Sequence, residues 1–316
     1  MKSITISRGK ILAALFVTLT ACSDEPRNTN GKDECSSHPV AVQTLGSGGP
    51  IADDHRAGSS NTVWLDGKAR LLIDAGAGVF ARYAEAGIDF RDHSAVLLTH
   101  LHGDHAAGIP SLLNLGSFSR RKEGLSVFGP TGNNLFPSTT EFFDALIGKE
   151  SGAFRYLHPY LEQSEALPPI RISEVDVSQS GMQTLMDSSD FFVGAIGVHH
   201  LDVPSLSYVI KAKGKTIVFA GDQSFLSEDF VTTLRNSDPD LLVMHNAISM
   251  SDGQPRGLHR DPESIGATAA ALGAKTLLLT HHMQRAIKVQ NEVNDAIAVN
   301  YSGPVLLADD LSCFPL

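Results

Sequence analysis

The chain has 316 residues, 42% of them hydrophobic and 7% aromatic, enough for one large domain or two small ones. With 25 Lys+Arg against 35 Asp+Glu the formal net charge is -10, which argues against a surface built to neutralise phosphate backbones. The short basic run Arg120-Arg121-Lys122 reads as a solvated loop tip rather than a nucleic-acid groove.

At the N-terminus, Lys2, Arg8 and Lys10 precede an apolar run over residues 11–17 and a small-residue stretch ending at Cys22. This pattern reads as a secretory leader, too short to span a membrane comfortably. Leu19-Thr20-Ala21-Cys22 resembles a bacterial lipobox, in which the cysteine is lipidated and becomes the mature N-terminus. Ser23 rather than Asp follows it, a pattern similar to outer-membrane lipoproteins. The expected organisation is a signal peptide over 1–21, a polar tether over 22–38 and a folded domain over 39–316. Membrane contact would then come through the lipid, at the periplasmic face of the outer membrane. Cleavage leaves 22 basic against 35 acidic residues. Apart from the lipidated Cys22, only Cys35 and Cys313 remain, and in an oxidising compartment these two could pair.

From residue 40 onward short apolar runs alternate with turn signals. Residues 40–45, 61–65, 69–73, 95–99 and 125–128 read as strands, with helices between them at 79–86 and 109–116. The second half repeats the style. Strands are expected at 192–198, 207–212, 216–220, 241–245 and 276–280, and helices at 227–236 and 262–272. Such alternation argues for an α/β sandwich, with helices covering two sheets. Residues 131–190 are less regular and read as a stretch carrying an insertion over the active site.

The chemistry is concentrated where the apolar strand 95–99 ends, in His100-Leu101-His102-Gly103-Asp104-His105. Loops after strands sit on a rigid base, and imidazole with carboxylate suits zinc and neighbouring divalent metals. In an extended segment His100 and His102 point the same way, whereas the adjacent Asp104 and His105 must diverge. Packing does not explain four such ligands in six residues.

His-x-His-x-Asp-His after a strand resembles the metallo-β-lactamase fold superfamily, and the similarity runs from about residue 40 to residue 310. That resemblance implies an αββα sandwich and two divalent metal ions, with zinc the expected metal. Asp74, in Leu72-Ile73-Asp74-Ala75-Gly76, matches the aspartate that orients the metal-binding loop from behind. His100, His102 and His199 would hold one metal; Asp104, His105 and His281 would hold the other. Asp222, ending an apolar strand in Ala220-Gly221-Asp222, would bridge them and leave room for a shared hydroxide. His199 and His200 are adjacent, so either could be the ligand, and spacing to the segment 204–208 favours His199 by resemblance.

The bridging aspartate, and His259 in Leu258-His259-Arg260-Asp261-Pro262-Glu263, resemble the ribonuclease Z and arylsulfatase-like branches. There the resemblance makes Asp104 and His259 catalytic: Asp104 orients the nucleophile, and His259, as imidazolium, assists the leaving group. The expected activity is hydrolysis of small sulfate or phosphate esters. A lactonase or β-lactamase-type hydrolase is one alternative, and a non-catalytic metal-binding lipoprotein another. Charge and export together argue against a nucleic-acid partner. His245 could orient other groups or simply pack; His38, His55, His93, His158 and His282 receive no role.

Overall fold

A computed structural model describes residues 35–162 and 167–316. The leader, Cys22 and most of the expected tether lie outside the described residues. The tether's last residues do not behave as a tether: Cys35 is fully buried and disulfide-bonded to Cys313, with Cα atoms 5.6 Å apart.

Two seven-stranded sheets face one another. The first is built from β1 (Val40–Gly46), β2 (Ser60–Leu65), β3 (Lys68–Ile73), β4 (Ala95–Leu97), β5 (Leu125–Pro130) and β6 (Ile170–Val175). The second takes β7 (Gln183–Asp187), β8 (Phe192–Val198), β9 (Ser205–Ala212), β10 (Lys215–Phe219), β11 (Leu241–His245), β12 (Leu277–Thr280) and β13 (Val305–Leu307). The last strand, β14 (Cys313–Pro315), returns to the first sheet and pairs antiparallel with β1. The orders are β14-β1-β2-β3-β4-β5-β6 and β13-β12-β11-β10-β9-β8-β7. Each sheet is antiparallel on one side and parallel on the other: pairing turns parallel from β3 onward in the first, and from β10 onward in the second.

Three apolar layers follow from this stacking. Side chains such as Leu71, Ile73, Leu97, Tyr208, Ile217 and Val243 fill the space between the sheets. Helices Val79–Glu85, Ile109–Phe118 and Thr139–Ile147 cover the outer face of the first sheet. Helices Glu228–Leu234, Pro262–Leu272 and Gln290–Ala298 cover the second. Central strands are therefore buried on both faces, which is why β11 and β12 read as unbroken apolar runs rather than alternating ones. The expected αββα arrangement is observed.

Helix boundaries have local causes. Ser138 and Glu141 form a reciprocal capping box before Thr139–Ile147. Asp261 caps Pro262–Leu272 by accepting from Ser264 N, with proline at the first helical position and Gly273 (φ 71) closing the helix. Two expectations need correction. Residues 131–190 are more regular than expected: among the described ones are the helix Thr139–Ile147 and the two edge strands β6 and β7. Arg121 is not a solvated loop tip, because its buried guanidinium donates to the carbonyls of Phe90, Arg91, Glu123 and Gly124.

Candidate metal centre

The site lies along one edge of the sandwich, where strands end. Asp74 follows β3, the run beginning at His100 follows β4, His200 follows β8, Asp222 follows β10 and His281 follows β12. Strand ends on a double-faced core are rigid, so polar side chains placed there keep their geometry.

Asp74 organises the first loop. In the left-handed region (φ 59), it accepts from Thr99 N and Thr99 Oγ1 at 2.7 Å each, and from His105 Nδ1 at 2.8 Å. The last contact fixes the tautomer, leaving the His105 Nε2 lone pair aimed at the cluster. Gly76 completes the Asp-Ala-Gly turn for a steric reason: a Cβ there would collide with the carbonyl oxygen of Asp104.

His100 Nε2 lies 3.0 Å from His102 Nδ1, and these two imidazoles gather with His200. A second group comprises Asp104, His105 and His281. His281, also left-handed (φ 49), places Nε2 3.1 Å from Asp104 Oδ2 and 3.2 Å from Asp222 Oδ2. The expected divergence of Asp104 and His105 does not occur, because they sit in the helical turn Gly103–Ala106, not on an extended strand. Their side chains converge, with Asp104 Oδ2 3.5 Å from His105 Nε2. Asp222 stands between the groups, its Oδ2 3.7 Å from His105 Nε2 and 4.0 Å from His200 Nε2.

The preference for His199 is corrected by the geometry. His199 turns away from the cluster, and its Nδ1 lies 2.7 Å from Ser224 Oγ. His200 instead donates from Nδ1 to the Leu258 carbonyl at 2.8 Å, leaving Nε2 facing Asp222. His259 lies beside the cluster with Nδ1 3.7 Å from Asp222 Oδ2. His245 is used up by backbone: Nε2 accepts from Arg260 N at 3.0 Å, and Nδ1 faces the Gly221 carbonyl at 3.4 Å. It positions the loop carrying His259, a role the sequence left open. His282 braces the site edge by donating from Nε2 to the Ala308 carbonyl at 2.9 Å.

Charge divides the cluster. Burial disfavours the cation at His105, yet Asp74 and Asp222 outweigh it and lift its pKa to about 10. Burial likewise opposes charge on His281, and Asp222 and Asp104 raise it nonetheless. At Asp104 burial is overcome by the His281 hydrogen bond, holding its carboxyl down at about 2. Burial lowers His100 and His200. Burial also lowers His259 to about 2, so its ring is neutral, not the imidazolium expected from the sequence.

This donor set fits divalent metal ions. His105 Nε2 is buried without a hydrogen-bond partner among the described residues, at distances from two carboxylate oxygens too long for hydrogen bonding. Asp104 and Asp222 face the Nε2 lone pair of His105, whose tautomer Asp74 sets from behind, which is how metal sites are prepared.

Comparison with known proteins now decides the family. Residues 69–282 match the family profile described as the β-lactamase superfamily domain. The chain belongs to this superfamily. Ribonuclease Z of Mycobacterium marinum is 27% identical over 296 residues, covering 86% of this chain and 97% of that protein. Among solved structures, the metallo-β-lactamase fold protein YhfI of Bacillus subtilis superposes with a TM-score of 0.67 at 20% identity, covering 88% of this chain and 99% of that one. The short form of human tRNase Z gives a TM-score of 0.64 at 22% identity, covering 87% and 100%. The fold is thus that of the metallo-β-lactamases, and membership supports a metal-dependent hydrolase. The argument against a nucleic-acid partner is overturned, since the curated relatives are ribonucleases by name. Its physical weakness is plain: net charge averages a whole surface, whereas one metal cluster suffices to hold a phosphodiester.

Proposed function

We propose that the chain is a two-zinc hydrolase of phosphate diesters, with RNA within its substrate class. The observation carrying this reading is the placement of Asp222, whose Oδ2 lies within 4.0 Å of nitrogens of His105, His200, His259 and His281. One carboxylate thus joins an all-imidazole group to a mixed one. The ribonuclease Z relatives support the phosphodiester over the sulfate ester that the sequence left equal.

Two divalent cations would supply the positive charge that activates water near neutral pH and offsets charge growing on the ester oxygens. The residues present the rest. His100, His102 and His200 would hold one ion, Asp104, His105 and His281 the other, and Asp222 both. Asp74 and the Leu258 carbonyl keep His105 and His200 in the tautomer that leaves Nε2 free. His259 reaches the cluster as a neutral imidazole, able to donate one N–H to a departing oxygen. Its loop is anchored by His245 and by Arg260, whose guanidinium donates to Gln223 Oε1 at 3.1 Å.

The leader and Cys22 support export and lipid anchoring at the periplasmic face of the outer membrane. The Cys35–Cys313 bridge supports an oxidising compartment. Lipid labelling that persists in Cys22→Ser would remove the anchoring claim.

The test of the activity is metal analysis followed by a substrate panel: bis(p-nitrophenyl) phosphate, p-nitrophenyl sulfate, a lactone, a β-lactam and an RNA with a 3′ extension. Two ions per chain and turnover of the diester are expected, with Asp222→Ala abolishing both. Turnover of the sulfate, lactone or β-lactam alone would replace the reading.

A further inference from the structure

The loop over residues 131–138 carries apolar side chains that serve no core. Leu135 is 72% exposed, and Phe136 belongs to none of the hydrophobic clusters among the described residues. Yet Phe136 has a defined place. Its ring centroid lies 6.0 Å from that of His102, at 66°. His102 is the half-buried histidine of the all-imidazole group, whereas His100 and His200 are buried.

The loop is built to hold that place. Asn133 Oδ1 accepts from Leu135 N and Phe136 N at 2.9 Å each, and Asn133 N donates to the Phe136 carbonyl at 2.9 Å. Asn133 Nδ2 donates to the Asp202 carbonyl at 2.7 Å, tying the loop to the segment just after His200. Thr131 N donates to the Val175 carbonyl at 3.0 Å, and the capping box at Ser138 closes the far end. Gly132 permits the fold-back, since a Cβ there would strike Ser138 N. After His200, Leu201 is 54% exposed with φ 50, and a Cβ on Gly257, in the loop leading to His259, would meet its Cδ2 at 2.8 Å. An aromatic ring and an aliphatic side chain thus accompany two of the three imidazoles of the first group.

We propose that Phe136 is a specificity-determining residue, its ring receiving a planar ring that the substrate carries next to the ester held at the metal centre. This rests on the phosphate-ester reading for the anion but not on turnover. A ring prearranged by backbone hydrogen bonds loses little freedom on binding, and stacking on an aromatic side chain is tolerant of which ring is offered. A nucleobase and an aryl group share that chemistry.

The test is calorimetry on the zinc-loaded protein with phenylphosphonate, methylphosphonate and uridine monophosphate. Phenylphosphonate is expected to bind about tenfold more tightly than methylphosphonate. Phe136→Ala should erase that ratio while leaving methylphosphonate affinity unchanged, and Phe136→Trp should restore it. A matching gain for uridine monophosphate identifies the ring as a nucleobase, and its absence identifies an aryl ester. Equal binding of the two phosphonates, equal loss for both in Phe136→Ala, or no binding of either overturns the proposal. Failure to cleave any diester while the ring ratio persists would remove the proposed activity and leave this subsite standing.

Discussion

The two ligand groups are built from similar parts and are electrostatically opposite. His100, His102 and His200 face few carboxylates, and burial keeps them neutral. His105 and His281 sit against Asp74, Asp104 and Asp222, which pull protons onto them although both are fully buried. The first group resembles an assembled ligand set held ready. The second holds its shape through ion pairs that a metal must replace. The difference teaches that one signature run, from His100 to His105, feeds two side-chain groups with different electrostatics.

The sharpest way to break this division is at the adjacent histidines. His200→Ala removes an imidazole from the first group and should lower turnover on the order of 10³-fold, since metal charge stabilisation amounts to several kcal/mol. One ion should be lost, with the second group still loaded. His199→Ala should leave both ions and the rate unchanged, because that ring engages Ser224 instead. Metal content per chain and initial rates measure both, and the reverse pattern would move the ligand back to His199.

Asp74→Asn addresses the other group. The amide can still accept from Thr99, but it removes the charge that pairs with His105 Nδ1. Affinity at the second group should fall about 10–100-fold, the usual cost of losing a carboxylate behind a histidine ligand. The first ion should be retained, which competition against a graded series of chelators would show. Equal weakening of both ions would mean that Asp74 supports the whole loop rather than one group.

Much of this centre was legible because its residues end apolar strands. Asp74, His100, Asp222 and His281 each follow a buried run, and the sandwich brings those ends to one edge. His200 was not legible: β8 stops at Val198, and beyond it the turn, with Leu201 at φ 50, sets which histidine faces inward. Alternation holds only while the strand does. The convergence of Asp104 and His105 was hidden for the same reason, by a one-turn helix too short for any periodicity. Strands β6 and β7 escaped because edge strands expose much of their surface and lack an apolar run. His245 ends β11 as conspicuously as any ligand, yet its nitrogens meet backbone, which only the loop's path reveals. Phe136 carried no signal beyond being aromatic in a turn-rich stretch.

The smallest effect expected is also the most direct comparison of the two groups, through pH. A histidine whose pKa is raised carries its proton below that value, so a cation binding there must expel it. His105, at about 10, is protonated near neutrality in the metal-free chain, and Asp222 and Asp104 raise His281 in the same direction. Apparent affinity at the second group should therefore rise with pH, about tenfold per unit for each proton released. At the first group His100 and His200 are already neutral, their pKa values lowered by burial, so affinity there should be flat from pH 7 to 8. Asp104, at about 2, is ionised throughout and adds no slope. Zinc competition against a chelator of known pH dependence, at pH 7 and pH 8, should give one sloping and one flat affinity. Proton release on metal binding, read with an indicator dye, should match the sloping one. Two parallel slopes would show that the carboxylates act on all five imidazole ligands alike, and the electrostatic division of the site would be wrong.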